Sequence, residues 1–218
     1  MSETGRGVPQ TIVVATRNEG KLREFQSLLR PFLGAGCAIL SLGDLAIDAA
    51  VEESGGTFAE NARLKAVGYS RLTPHPVLAD DSGLEVEALG GRPGIHSARY
   101  AGPDASDGDR IRKLLGELDG AGVADIWSAG QARARFVCAL ALTQGGEATL
   151  QAEGDCHGVI IRDPRGSNGF GYDPVFLLPD LGKTFAELDD AEKNLYSHRA
   201  RAVGALVRLF GAARPAQP

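Results

Sequence analysis

The run TIVVATRNEGKLREFQSLL, Thr11 to Leu29, decides how the rest of the chain is read. Thr11 to Ala15 has the β-branched, apolar character of a strand, whereas Leu22, Phe25, Leu28 and Leu29 recur at helical spacing, so a helix is expected over Lys21 to Leu29. Only a short loop joins the two. A strand that hands over directly to a helix is half of a βαβ unit, which points to the α/β class. Backbone N–H groups at a helix start lack intrahelical partners and carry partial positive charge, so such a junction can hold phosphate. In ATRNEGK, Lys21 adds a full charge and Asn18 a directed amide, but the Gly-x-x-x-x-Gly-Lys-Ser/Thr pattern of a P-loop is missing. An ordinary βα turn with a solvated Lys21 is the competing reading.

Farther along, Thr57 and Glu60 have capping-box spacing and open a second helix through about Tyr69. Val77 to Ala79 read as a short buried strand, and LEVEAL alternates as a half-exposed strand does. GDRIRKLLGEL is helical, with Ile111, Leu114, Leu115 and Leu118 on one face. RARFVCALALT and EATLQAEG flank the hairpin signal QGG, and GVIIR and PVFLL add β structure. A helical tail follows, with Leu195, Ala202, Leu206, Leu209 and Phe210 as its expected inward residues. The mixture of βα units and hairpins predicts one α/β domain over residues 11–210 with a mixed sheet, in two lobes around a cleft. Residues 1–10 and 211–218 are expected to be flexible termini.

Composition narrows the function. The 218 residues are 43% hydrophobic, ordinary for a folded domain, and carry a net charge of −5 that repels nucleic acid and anionic membranes. The longest apolar runs, Val137 to Leu142 and Val175 to Leu178, fall far short of the roughly 20 residues of a membrane span. MSETGRGVPQ lacks the basic-then-apolar build of a secretory signal, so a cytoplasmic location is expected. Cys37, Cys138 and Cys156 are odd in number with no Cys-x-x-Cys pair, which argues against a disulfide framework or a zinc site.

Three further segments carry candidate chemistry. In PVLADDSGLEV, Asp80 and Asp81 follow an apolar run; adjacent strand residues face opposite sides, so both serve one site only if the strand has ended. A buried carboxylate needs backbone donors, a cation or a metal, and a Mg²⁺ site competes here with simple backbone capping. Glu52 and Glu53 could bring a second carboxylate to that metal, or be two solvated loop acids. In GSNGFGYDPVF, glycines permit close backbone approach while Phe170 and Tyr172 offer flat faces for a base. In EKNLYSHRARA, Ser197 either caps a new helix, leaving His198 and Arg199 in its first turn where cations are unfavourable without an anion, or lies within one continuous helix.

The ordered set TRNEGK, EESGGTFAENARLKA, ADDSGLEVEALGGRPGIHSARYAG, GFGYDPVF and EKNLYSHR resembles the inosine triphosphate pyrophosphatase family, from about Thr11 to Phe210. The resemblance implies an elongated mixed β-sheet flanked by helices, with two lobes around a central nucleotide cleft, usually in a homodimer. It implies a Mg²⁺-dependent hydrolase that cleaves the purine nucleoside triphosphates ITP, dITP and XTP to monophosphate and pyrophosphate. Carried over by motif, Thr16, Arg17, Asn18, Glu19, Gly20 and Lys21 would cradle the triphosphate. Glu52 and Asp81 would hold the metal, with Asp81 also the proton acceptor. Ser82, Phe170, Gly171, Tyr172, Asp173, Lys193, His198 and Arg199 would complete the nucleotide site. Arg17 departs from the family, which often has a small residue there, and Ser167 and Asn168 depart in the glycine-rich loop.

Overall fold

The computed structural model of the protein describes residues 9–122, 125–127 and 132–212; most of the two expected flexible termini lies outside them. Seven strands are numbered in chain order: β1 (Thr11–Val14), β2 (Ala38–Ser41), β3 (Val77–Val86), β4 (Arg133–Gln144), β5 (Glu147–Ile160), β6 (Phe176–Leu178) and β7 (Lys183–Thr184). They form one sheet in the spatial order β2-β1-β3-β4-β5-β6-β7. β1 lies parallel to β2 and β3, with Val13 opposite Val77, while β6 is antiparallel to β5 and β7, so the sheet is mixed. Helices α1 (Glu19–Leu33), α2 (Phe58–Ser70), α3 (Asp107–Asp119), α4 (Asp190–Tyr196) and α5 (His198–Ala212) flank it. The α/β class and mixed sheet therefore agree with the sequence.

Local signals explain the helix starts. Asn18 caps α1 by accepting the Lys21 N–H, and Thr57 and Glu60 form the expected capping box of α2. Ser106 and Asp109 form another at α3. Ser197 does separate two helices: α4 ends there and α5 opens at His198. That break resets the helical phase, which is why Leu195, expected to face inward, is 74% exposed. Ala202 and Leu206 of α5 are buried as expected, but Leu209 is 44% exposed.

The largest departure is β3. The expected strand ends at Ala79; the observed one is ten residues long, Val77 to Val86, and runs on through Asp80, Asp81 and Ser82. Likewise, GVIIR is not separate, since β5 runs on to Ile160.

By contacts the chain divides into two compact units. One comprises residues up to Asp81, Ala139–Gly154 and the chain from Arg199 onward, and its core includes Val13, Val14, Phe25, Ala62, Ala66 and Leu78. The other comprises Ser82–Cys138 and Asp155–His198. Its core joins Leu84, Val86, Leu114 and Leu118 to an aromatic group in which Phe136 lies 4.6 Å from Phe176 and 5.7 Å from Phe185, centroid to centroid. Such ring pairs add about 0.5–1.5 kcal/mol beyond their buried area.

Gly166 shows how closely that second unit is built. Its φ is +80°, and an added Cβ would stand 2.2 Å from the Ala186 carbonyl oxygen. The next two residues donate their N–H groups to the same oxygen, at 3.1 and 3.0 Å. Left-handed strain and overpacking together should make Gly166→Ala lose about 2–4 kcal/mol, measured as a lower urea midpoint with an unchanged slope.

Candidate functional site

The first unit gathers its charged side chains around the two aspartates of β3. They leave the strand on opposite sides and meet different cations. Lys21, in the first turn of α1, places Nζ 2.6 Å from Asp80 Oδ2. Arg199, in the first turn of α5, places Nε 3.8 Å from Asp80 Oδ1 and donates from Nη1 to Glu24 Oε2 at 2.8 Å. Burial opposes ionisation of Asp80, but Lys21, Arg199 and Lys65 outweigh it and hold its carboxyl well below the usual range. The conflict of a cation at a helix start is thus resolved by protein carboxylates at Arg199. Lys21 and Arg199 stand as partners of Asp80 instead of freely solvated charges.

Asp81 has a different setting. Lys65 Nζ donates to its Oδ1 at 2.9 Å and lies 3.4 Å from Glu53 Oε2. Asp81 Oδ2 is buried and has no hydrogen-bond partner among the described residues. Burial pushes the Asp81 carboxyl up; Lys65 pulls it down, and Asp80 and Glu53 push it up again. Burial also works against the Lys65 ammonium, yet Asp81, Asp80 and Glu53 more than offset this and raise its pKa. Two neighbouring carboxyls are therefore driven in opposite directions by their surroundings, a pattern found where acid and base roles are divided.

The residues expected to cradle phosphate sit at the carboxyl end of β1. Thr16 is buried and accepts the Asn18 N–H through Oγ1 at 3.1 Å, while Arg17, Asn18 and Glu19 are exposed. The Arg17 guanidinium donates to the carbonyls of Ile47 and Ala49, at 3.1 and 2.9 Å. Of the two loop acids, Glu52 is exposed and Glu53 is the one paired with Lys65.

The second unit contains the glycine-rich loop. Asp173 Oδ2 accepts from Lys193 Nζ at 2.7 Å and from the Phe170 N–H at 2.9 Å, with both charged side chains buried. A Cβ on Gly169 would fall 2.0 Å from that same oxygen, so only glycine fits. Lys193 Nζ lies 5.1 Å from the centre of the Phe170 ring, which stays half-exposed. Tyr172 differs from the expectation of an open face: it is 3% exposed, donates its hydroxyl to the Ser97 carbonyl at 3.0 Å, and burial raises its pKa. The Gly171 N–H is taken by Asp107 Oδ2 at 2.7 Å. Ser82 is half-buried on β3, and His198 is buried with its ring stacked on Phe136 at 4.8 Å.

Residues 12–209 match the model of the Ham1 family. This chain belongs to the Ham1 family. It is 54% identical over 192 residues to a dITP/XTP pyrophosphatase of Geobacillus kaustophilus, covering 88% of this chain and 90% of the relative. It is 45% identical over 200 residues to that of Bacillus subtilis, covering 92% and 96%. Among solved structures, a HAM1 protein from Coxiella burnetii superposes with a TM-score of 0.79 at 41% identity, covering 93% of this chain and 99% of that one.

In this Ham1 chain the residues that sequence reasoning missed are Lys65 and Glu53 in its pairing role. A signal for Lys65 existed: with Asn61 it lies on the face of α2 that buries Phe58, Ala62, Ala66 and Tyr69, where a lysine needs a partner. As for a metal, no group of three His, Cys, Asp or Glu side chains close enough to hold one occurs among the described residues. The buried, unpartnered Asp81 Oδ2 is nevertheless a hard oxygen donor in an anionic setting. It fits Mg²⁺, which usually takes one or two carboxylates and fills the rest of its shell with water and substrate phosphates.

Asp80→Asn should cost about 3 kcal/mol, the lower end for a broken buried pair because Lys21 keeps some solvent contact. Asp80 has a depressed folded-state pKa, so its stabilisation is complete above the unfolded value and lost as pH falls through the folded one. The stability gap between wild type and variant, from urea melts, should be constant above pH ~4 and narrow below it.

Proposed function

We propose that this chain is a Mg²⁺-dependent nucleoside triphosphate pyrophosphohydrolase. It converts dITP, ITP and XTP to the monophosphate and pyrophosphate, and so keeps deaminated purines out of DNA and RNA. The observation that carries this reading is the state of Asp81, one oxygen held by Lys65 and the other buried and unused, in a chain 54% identical to a protein named dITP/XTP pyrophosphatase. By resemblance, the active form is a cytoplasmic homodimer that takes small-molecule substrate and no nucleic acid.

Hydrolysis at the α phosphorus needs a water aligned against the departing pyrophosphate and positive charge near the oxygens where negative charge builds up. Asp81, its carboxyl raised by burial, accepts the proton of that water. Lys65, charged and beside it, keeps the carboxylate oriented. Asp81 and Glu52 would hold Mg²⁺, which when bound neutralises phosphate charge and makes a coordinated water more acidic. Lys21 Nζ and the first-turn N–H groups of Glu19 and Gly20 receive phosphate oxygens. By resemblance, Ser82, Phe170, Gly171, Asp173, Lys193, His198 and Arg199 bind the remainder of the nucleotide, the half-exposed Phe170 ring being suited to stacking on a base.

Base selection follows from donors and acceptors. Hypoxanthine and xanthine present a 6-oxo acceptor where adenine presents an amine, so a buried donor there, from His198, Arg199 or a backbone N–H, leaves ATP with mismatched groups.

The test is an assay of ITP, XTP, ATP and GTP with Mg²⁺, scoring pyrophosphate and orthophosphate separately. ITP and XTP should release pyrophosphate at least about 100-fold more efficiently than ATP, the scale of discrimination a mismatched polar group supplies. Equal use of all four, or orthophosphate as the product, sinks the assignment. Asp81→Asn should lower kcat by about 100-fold or more while retaining wild-type circular dichroism.

A further inference from the structure

The acids Glu52 and Glu53 lie on a segment, residues 47–55, that has no secondary structure of its own. Such a segment can present a carboxylate reproducibly only if its backbone is held from outside. It is held along its length, in addition to the Glu53–Lys65 ion pair. At its far end the Gly55 N–H donates to the fully buried Asn61 Oδ1 at 2.8 Å, and the Gly56 N–H to Glu60 Oε2 at 2.7 Å. In the middle, Val51 lies directly on the backbone of α2: a Cβ on Gly68 would come within 2.6 Å of Val51 Cγ2. At the near end, Arg17 Nη2 donates to the carbonyls of Ile47 and Ala49.

The first two attachments are to α2. Arg17 ties the segment to the β1–α1 loop, the loop assigned to phosphate. Its guanidinium is turned onto carbonyl oxygens, which solvate a cation well and leave a planar fork engaged. A residue whose role in this family position the sequence left open is thus given a definite task by geometry.

We propose that Arg17 is a positioning residue: it pins the acid-bearing segment 47–55 to the phosphate loop and thereby sets how readily Glu52 meets the divalent cation, and its side chain is not a phosphate ligand. The second half of this statement rests on the reading of Glu52 as a Mg²⁺ ligand; the first does not.

Hydrogen exchange on the nucleotide-free protein, paired with Mg²⁺ titrations of turnover, decides the matter. In Arg17→Ala, amides of residues 47–56 should exchange about 10-fold faster, the factor that ~1.4 kcal/mol of lost attachment gives, while those of α2 stay as in wild type. The Mg²⁺ concentration for half-maximal turnover should rise several-fold, and KM for ITP at saturating Mg²⁺ should not change. Arg17→Lys should fall between. Unchanged exchange over 47–56 overturns the pinning, and a raised KM for ITP at saturating Mg²⁺ with a wild-type Mg²⁺ requirement makes Arg17 a phosphate ligand after all. Glu52→Gln separates the two layers: it should raise the Mg²⁺ requirement with wild-type exchange. If it leaves that requirement alone, the metal assignment fails, and the exchange of Arg17→Ala still decides whether Arg17 pins the segment.

Discussion

Two carboxyl groups side by side on a buried strand must each be compensated, and β3 carries Asp80 and Asp81 with cations brought to them by the surrounding helices. The strand does not stop at the charges, so its pleat sends them apart. Attraction between unit charges about 4 Å apart is roughly 4 kcal/mol at an effective dielectric near 20, enough to hold Asp80 ionised between Lys21 and Arg199. Among the described residues Asp81 pairs with Lys65, shared with Glu53, and has one oxygen left over. The same residue type is therefore a structural anion at one position and a chemically available group at the next.

This arrangement alters the simple picture of an acidic protein that collects lysines and arginines to neutralise a polyanion. Lys21, Lys65 and Arg199 in one unit already face Asp80, Asp81, Glu53 and Glu24, and Lys193 in the other faces Asp173. Among the ion pairs of the described residues around β3, four carboxylates face three cations. Such surroundings suit the proposed divalent cation on electrostatic grounds, independent of any sequence motif.

The second unit uses backbone geometry more than charge. Gly166 and Gly169 are required because carbonyl and carboxylate oxygens occupy the space a side chain would need. Asp173 then organises the loop, gathering the Phe170 N–H and Lys193 onto one oxygen. Tyr172, which looks from the sequence like a stacking face, instead anchors the loop from beneath through Ser97. The aromatic residue left accessible is Phe170.

The amino-acid sequence by itself determined the α/β class, the capping box that starts α2 and the βα junction between Ala15 and Lys21. It also marked the segments rich in chemistry, because helical periodicity, caps and turns depend on residues three or four apart. It did not determine where β3 ends, which acid meets which cation, or where Arg17 points. Those outcomes join Lys65 to Asp81 across 16 residues, Lys21 to Asp80 across 59 and Arg199 to Glu24 across 175. Only the tertiary structure decided them, since the cost of burying a charge depends on what the folded chain brings to within a few ångströms of it.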